Sequence, residues 1–248
     1  MSVLHRLFWF GRMRSGRMEA RSKSRPGILG VVGVLALGLL WGCANRDDAI
    51  RYKITIDVGT PSGVKRGASV VESDFRRDGL TLGQAPFVDL GNGHYIFALL
   101  TDPFSEKTLY RIVLNALRYP DLKPPLDDPQ ANAFVQAKRT KPQAILRRAD
   151  YPMLVTFGNI KDSGSVSEVS PDNLAASFGA GYRLEQITIQ VVDQDEPLTQ
   201  GLEDILTWAD VPPETRLSPR DPLKLQTVAE APLSRLLWNL SFVYRSSR

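Results

Sequence analysis

Alternating apolar and polar positions in the N-terminal half of the chain predict β-strands. The first apolar set follows Arg51 and consists of Tyr52, Ile54, Ile56 and Val58. Residues two apart lie on the same side of a strand, so this set gives the strand one apolar face. The turn-forming segment Thr60-Pro61-Ser62-Gly63 follows, and a second strand is predicted over 68–75. The pattern predicts that these two strands pair.

A second strand pair is predicted around Gly91-Asn92-Gly93, which separates the apolar runs 87–90 and 94–100. Asparagine and glycine both tolerate positive φ, so an Asn-Gly pair between two apolar runs is a strong hairpin signal. The N-terminal half is therefore expected to begin as an antiparallel sheet.

A helix is predicted after these strands, beginning at Asp102-Pro103 and ending at Pro120. Aspartate caps free N–H groups at a helix start, and proline fits the first turn. The apolar positions at helical spacing are Leu109, Ile112, Val113, Ala116 and Leu117. Prolines 120, 124, 125 and 129 then predict a stiff extended connection over residues 120–130.

The C-terminal half shows a β-β-α-β pattern. Its predicted elements are strands over 153–157 and 166–169, a short helix over 170–178 and a strand over 183–192. Residues 130–148 have a helical composition interrupted by Pro142, and a short helix is predicted over 202–208. The final run 236–244 fits a helix or a strand; polar Asn239 and Ser241 between apolar neighbours favour the strand. The predicted fold class is α+β, an antiparallel N-terminal sheet with a following helix and then this β-β-α-β half.

The amino-acid composition limits the classes of protein to which this chain can belong. The 248 residues are 43% hydrophobic, which is enough apolar content for a core. The chain has one cysteine, which excludes a disulfide framework. The net charge of +4 comes from 31 basic and 27 acidic residues. Residues 1–42 hold seven of the basic residues and one acid, so 24 basic and 26 acidic residues remain from position 43 onward. The body has no overall positive field, and no nucleic-acid partner is expected.

The basic N-terminal segment precedes an uncharged apolar stretch, Ile28–Trp41, and this order is typical of a secretory signal peptide. Fourteen residues form a helix about 21 Å long, which is short of a hydrocarbon core of about 30 Å. The long basic segment leaves Met1, Met13 and Met18 as alternative starts. A short signal of this kind predicts export, and an uncleaved, short membrane anchor is the alternative.

The segment Leu40-Trp41-Gly42-Cys43 resembles the lipobox of bacterial lipoproteins. The resemblance implies cleavage between Gly42 and Cys43, a diacylglyceryl thioether on Cys43 and acylation of the new amino terminus. Ala44-Asn45 differs from the acidic pair that the resemblance associates with inner-membrane retention, so the implied location is the outer membrane, facing the periplasm. The lipid bilayer is then a partner through acylated Cys43, and a protein of the envelope is a second expected partner.

These features divide the chain into five segments. They are a signal peptide (1–42), a lipidated tether (43–50), a β-rich subdomain with a helix (51–119), the proline-rich connection (120–130) and an α+β subdomain (131–248). Several motifs of the exported part, among them Val-Asp-Leu-Gly-Asn-Gly (88–93) and Ser-Pro-Asp-Asn-Leu-Ala-Ala-Ser-Phe-Gly (170–179), resemble a family of uncharacterised proteobacterial proteins. That resemblance implies no activity and no site residues.

Candidate chemistry is sparse. His94 is the only histidine beyond the leader, and no Gly-x-Ser-x-Gly motif accompanies it. The acids Asp193, Asp195 and Glu196 do not have the spacing of a calcium loop. One histidine and one cysteine cannot supply a zinc site, so no metal, cofactor or catalytic residue is predicted.

The basic residues Lys138, Arg139, Lys141, Arg147 and Arg148 predict a solvated helix face, or a surface for anionic headgroups or an acidic partner. The sequence as a whole favours a lipid-anchored binding or structural module of the envelope. Two alternatives stay open: a tethered hydrolase that uses carboxylates and His94, and an inhibitor or immunity-type lipoprotein.

Overall fold

A computed structural model describes residues 49–74, 80–102, 109–117, 136–209, 215–218 and 233–244. The predicted lipidation and cleavage residues, Cys43 and Gly42, lie outside the described residues, as does the connection 120–130. Residues Asn45–Arg248 form one compact unit.

The described chain is an α+β fold made mostly of antiparallel strands, which confirms the predicted class. The strands are β1 (Ala49–Thr60), β2 (Gly63–Asp74), β3 (Leu80–Gln84), β4 (Phe87–Gly91), β5 (His94–Ala98), β6 (Gln143–Ile145), β7 (Leu154–Phe157), β8 (Val166–Glu168), β9 (Arg183–Val191) and β10 (Val243–Tyr244). The α-helices are α1 (Leu109–Ala116), α2 (Ala175–Phe178) and α3 (Leu233–Leu236). Residues 136–140 are also helical, and 3₁₀ turns lie at Arg148–Asp150, Ser163–Ser165, Leu202–Asp204, Thr207–Ala209 and Asn239–Ser241.

The strands form two sheets. The larger sheet has the order β10-β3-β2-β1-β9-β6, and the smaller has the order β4-β5-β7-β8. Each sheet combines strands from both sides of residues 120–130, because β1 pairs with β9 and β5 pairs with β7. The segments 51–119 and 131–248 are therefore joined through the hydrogen bonds of both sheets.

Strand β1 lies at the centre of the core, and its alternation is as predicted. Tyr52, Ile54, Ile56 and Val58 are all fully buried, whereas Lys53 between them is exposed. The Tyr52 hydroxyl bonds the Ser73 hydroxyl at 2.8 Å, and burial raises the pKa of the Tyr52 phenol. Residues of both sheets share one hydrophobic cluster, and the apolar face of β1 is part of it.

The two sheets approach each other closely at Gly67. A Cβ atom built there would lie 1.6 Å from the Phe87 carbonyl oxygen. Strand β4 can therefore cross β2 at this point only because residue 67 has no side chain. Ala85 and Pro86 connect β3 to β4, so the chain passes from one sheet to the other through two residues.

The hairpin of β4 and β5 confirms the prediction made from Gly91-Asn92-Gly93. Asn92 has φ 54° and Gly93 has φ 78°, the left-handed conformations that an Asn-Gly turn adopts. Helix α1 is confirmed over its described residues, since Leu109, Ile112 and Val113 are buried.

The predicted extended strand over 236–244 is wrong. The segment contains the end of α3, a 3₁₀ turn and only the two strand residues of β10. Asn239 and Ser241 are buried rather than solvent-facing. Asn239 donates from Nδ2 to the Ala209 carbonyl at 2.8 Å, and the Ser241 hydroxyl bonds Thr101 at 3.0 Å. Tertiary hydrogen bonds therefore replace the regular alternation that the sequence favoured.

Residues 130–148 have a composition that predicts a helix, but the segment is not helical throughout. Lys141 has φ 45° and donates its N–H to the Ala137 carbonyl, which ends the helix at 136–140. Pro142 has no N–H with which to continue a helix. The chain then becomes extended and forms β6. The helix predicted over 202–208 is replaced by the two 3₁₀ turns Leu202–Asp204 and Thr207–Ala209.

Candidate functional site

Strand β6 leaves one edge of the larger sheet open within the described residues. Its partner β9 lies on the other side, with Ala144 opposite Ile189. The Val191 N–H donates to the Pro142 carbonyl at 3.0 Å, and the Leu146 N–H donates to the Ile187 carbonyl at 2.8 Å. Because backbone groups of an antiparallel strand alternate between its two sides, the N–H and C=O groups of Gln143 and Ile145 point away from β9.

A groove of about 920 Å³ lies along this edge. The lining residues from α1 and the residue after it are Asn115, Ala116 and Leu117; those from the β6 side are Pro142, Gln143, Ala144, Ile145, Arg147 and Asp150. We call this space the edge groove. Its lining combines an open strand edge with the end of a helix.

Asp150 gives the edge groove a fixed polar group. The Asp150 residue is only 6% exposed. The Arg147 Nε donates to Asp150 Oδ2 at 2.7 Å, and Asn115 Nδ2 lies 3.4 Å from Oδ1. The bond to Asp150 raises the pKa of the Arg147 guanidinium. Asp150 therefore joins the end of α1 to the segment that follows β6.

Arg147 and Ile145 present contrasting side chains in the same groove. The Arg147 side chain is 74% exposed, so a guanidinium with five N–H donors faces solvent as well as Asp150. Ile145 is 62% exposed, and only one other large apolar residue in the described ranges, Val64 at 61%, is comparable. The groove thus combines an apolar contact, a cationic donor and backbone groups that have no partner among the described residues.

The predicted basic group does not form a single basic helix face. Lys141 binds Asp193 at 2.6 Å, and Arg148 binds Asp172 at 2.7 Å. The bond to Arg148 lowers the pKa of the Asp172 carboxyl. Lys138 and Arg139 lie on the helical segment 136–140, whereas the others lie after it.

The other candidate residues lie apart from the edge groove lining. His94 is exposed, and its ring lies against Phe178 with a centroid distance of 6.2 Å. Asp193, Asp195 and Glu196 follow β9, and the Glu196 carbonyl accepts a hydrogen bond from Arg51. No group of three or more His, Cys, Asp or Glu residues suited to a metal occurs in the described ranges.

Among the helices of the described residues, none is both long enough and apolar enough to span a membrane.

In comparisons with known proteins, no family model, no curated protein and no solved structure matches this chain. The resemblances to bacterial lipoproteins and to the uncharacterised proteobacterial family therefore stay predictions.

The edge groove was not predicted from the sequence. Two local signals for it exist: Pro142 suits the start of an edge strand, and Arg147 and Asp150 have the i,i+3 spacing of an ion pair. Asn115, however, lies 35 positions before Asp150. Only the folded chain brings these residues into one cavity.

Proposed function

We propose that this protein is a lipid-anchored binding module of the cell envelope, and that the edge groove is its binding site. The single observation that carries the binding role is the cavity with an open strand edge as one wall. Sheet edges attract other chains, and proteins normally cover or interrupt them. Here the edge adjoins a groove that also contains exposed Ile145 and Arg147.

The lipobox-like segment supports the proposed anchoring. Each buried methylene of an acyl chain contributes about 0.8 kcal/mol, and a single chain binds a membrane only marginally. Several chains on Cys43 hold a domain at a bilayer without a membrane-spanning helix. The proposed location is the outer membrane, with the domain facing the periplasm.

Anchoring is tested by labelling the full-length chain with a radioactive fatty acid in a bacterial host. The wild-type chain is expected to incorporate label and to accumulate as precursor under globomycin. Cys43→Ser is expected to incorporate none. Labelling of the Cys43→Ser chain, or processing that globomycin leaves unchanged, would contradict the lipid anchor.

Binding is tested by site-specific photocrosslinking of the lipidated chain in cells. Gln143→benzoylphenylalanine places the crosslinker in the edge groove, and Val64→benzoylphenylalanine places it at a similarly exposed site outside the groove lining. We expect an envelope polypeptide, identified by mass spectrometry, to crosslink at position 143 but not at 64. Equal crosslinking at both positions, or none at 143, would refute the groove as the binding site.

A further inference from the structure

The extended segment after Lys141 presents a row of three exposed side chains along the edge groove. Gln143, Ile145 and Arg147 are each exposed, whereas Leu146 between them is buried. Arg147 keeps an extended conformation, with φ −73° and ψ 154°. Side chains two positions apart share a face of an extended chain. From Gln143 to Arg147, the three side chains are therefore polar, apolar and cationic in turn.

The same residues supply the backbone groups that another strand needs. The outward N–H and C=O groups of Gln143 and Ile145 allow up to four backbone hydrogen bonds to an antiparallel strand. All strand pairs of the larger sheet are antiparallel. An added antiparallel strand continues this pattern, as in other cases where an extended peptide joins a sheet edge.

The side-chain row determines which sequence fits. In an antiparallel pair, the residue opposite Ile145 lies close to it on the same face, so an apolar side chain is favoured there. The next residue on that face, two positions along, lies near Arg147, where a carboxylate matches the guanidinium. The Arg147 side chain is 74% exposed, so its guanidinium can accept this contact in addition to its bond with Asp150.

We infer that the edge groove binds an extended polypeptide segment as a seventh, antiparallel strand of the larger sheet. The segment carries an apolar residue opposite Ile145 and an acidic residue two positions away, next to Arg147. This inference rests on the proposed binding function and specifies the chemistry of the partner.

The probe for this inference is the pentapeptide acetyl-Glu-Thr-Val-Thr-Glu-amide. With valine opposite Ile145, one glutamate reaches Arg147 and the other lies near Gln143. Two matched peptides serve as controls. One replaces both glutamates by lysine, and the other carries an N-methyl group on valine, which keeps the side chains but removes the N–H that bonds the Ile145 carbonyl.

Amide hydrogen exchange, followed by NMR on the purified lipid-free domain from residue 45 onward, provides the readout. These residues form one compact unit. In the free protein, we expect the Gln143 and Ile145 amides to exchange at least about tenfold faster than the Ala144 and Leu146 amides. Millimolar glutamate peptide should slow exchange at Gln143 and Ile145 by at least about tenfold. The lysine and N-methyl peptides should have little effect.

Two protein variants distinguish recognition of the charge on the peptide from an effect on protein folding. Arg147→Gln should reduce the preference for the glutamate peptide over the lysine peptide by about tenfold. Arg148→Gln, which removes the neighbouring arginine from its bond with Asp172, should retain that preference. Circular dichroism checks that both variants are folded. Equal loss of preference in the two variants would refute the role of Arg147.

Several outcomes would overturn strand addition. Slow exchange of the Gln143 and Ile145 amides in the free protein means that the chain's own residues already cover the edge. Protection that rises with protein concentration alone identifies a second copy as the occupant. Equal protection by the N-methyl peptide refutes the backbone pairing. No protection by the glutamate peptide, together with crosslinking at position 143 in cells, refutes this inference while leaving the proposed binding function intact.

Discussion

Gly67→Ala tests the close crossing of the two sheets. The added Cβ atom would lie 1.6 Å from the Phe87 carbonyl oxygen and 2.5 Å from its carbonyl carbon. Both atoms belong to the backbone of β4, which is held in the smaller sheet by pairing with β5. The obstruction is therefore not the end of a flexible side chain that can rotate away.

The size of the effect follows from the distance that must be recovered. Ordinary contact with a Cβ begins near 3.4 Å, so β4 and β2 must separate by nearly 2 Å at this point. Insertion of one methyl group into a packed core typically costs about 1–3 kcal/mol when side chains can adjust. Because a backbone must move here and the shared core opens with it, we expect a loss of about 3 kcal/mol or more.

Urea unfolding followed by tryptophan fluorescence and circular dichroism measures this loss. Gly158→Ala is the matched control, since the nearest atom to its added Cβ, from Ser165, lies at 3.8 Å. We expect Gly158→Ala to change the free energy of unfolding by less than about 0.5 kcal/mol. If Gly67→Ala is as stable as Gly158→Ala, the close packing of β4 on β2 is refuted.

Three further substitutions test the core and its charged groups. Phe97→Ala removes a fully buried ring, and urea unfolding should show a loss of about 3–5 kcal/mol. Glu72→Gln removes the charge opposite Arg51, whose side chain is only 11% exposed, and a loss of about 3 kcal/mol is expected because the guanidinium loses its counter-charge. The hydrogen bond from Arg66 lowers the pKa of the Asp57 carboxyl in the folded protein. The ionised form of Asp57 therefore stabilises the fold above about pH 4. This contribution is lost as the pH falls from there through the pKa of Asp57 in the folded protein. Asp57→Asn should therefore show a shallower loss of stability than wild type in urea titrations from about pH 5 downward, and an equal slope would contradict this assignment.

The features that were predicted correctly depend on local sequence. Strand β1 follows from a period of two in apolar residues, and its four predicted core residues are all buried. The β4–β5 turn follows from residues that adopt positive φ at low cost, Asn92 and Gly93. In both cases, the residues that specify the element also lie within it.

The features that were predicted wrongly depend on distant partners. The segment 236–244 alternates well enough for a strand, but Asn239 and Ser241 find hydrogen-bond partners in Ala209 and Thr101. Burying these polar groups is favourable once such partners exist. Phe242 is also fully buried, with its ring 6.0 Å from that of Phe97. None of these contacts can be inferred from the alternation within the segment.

Strand β6 illustrates the same limit at the candidate site. Its three residues are too few for periodicity to identify a strand. They become a strand because β9 offers backbone partners from Ile187 to Val191. The basic residues near β6 form a visible group in the sequence, but their pairing with Asp193, Asp172 and Asp150 depends on the fold.

The small size of β6 bears on how its open edge can be used. A long, flat apolar edge promotes indiscriminate pairing and aggregation. Here the edge is three residues long, and Pro142, which has no N–H to donate, precedes it. The backbone groups of Gln143 and Ile145 alone provide too few hydrogen bonds for tight association with an arbitrary strand. Selective binding therefore requires side-chain contacts at Ile145 and Arg147, and loss of the exposed Ile145 side chain should weaken binding more than it weakens the fold.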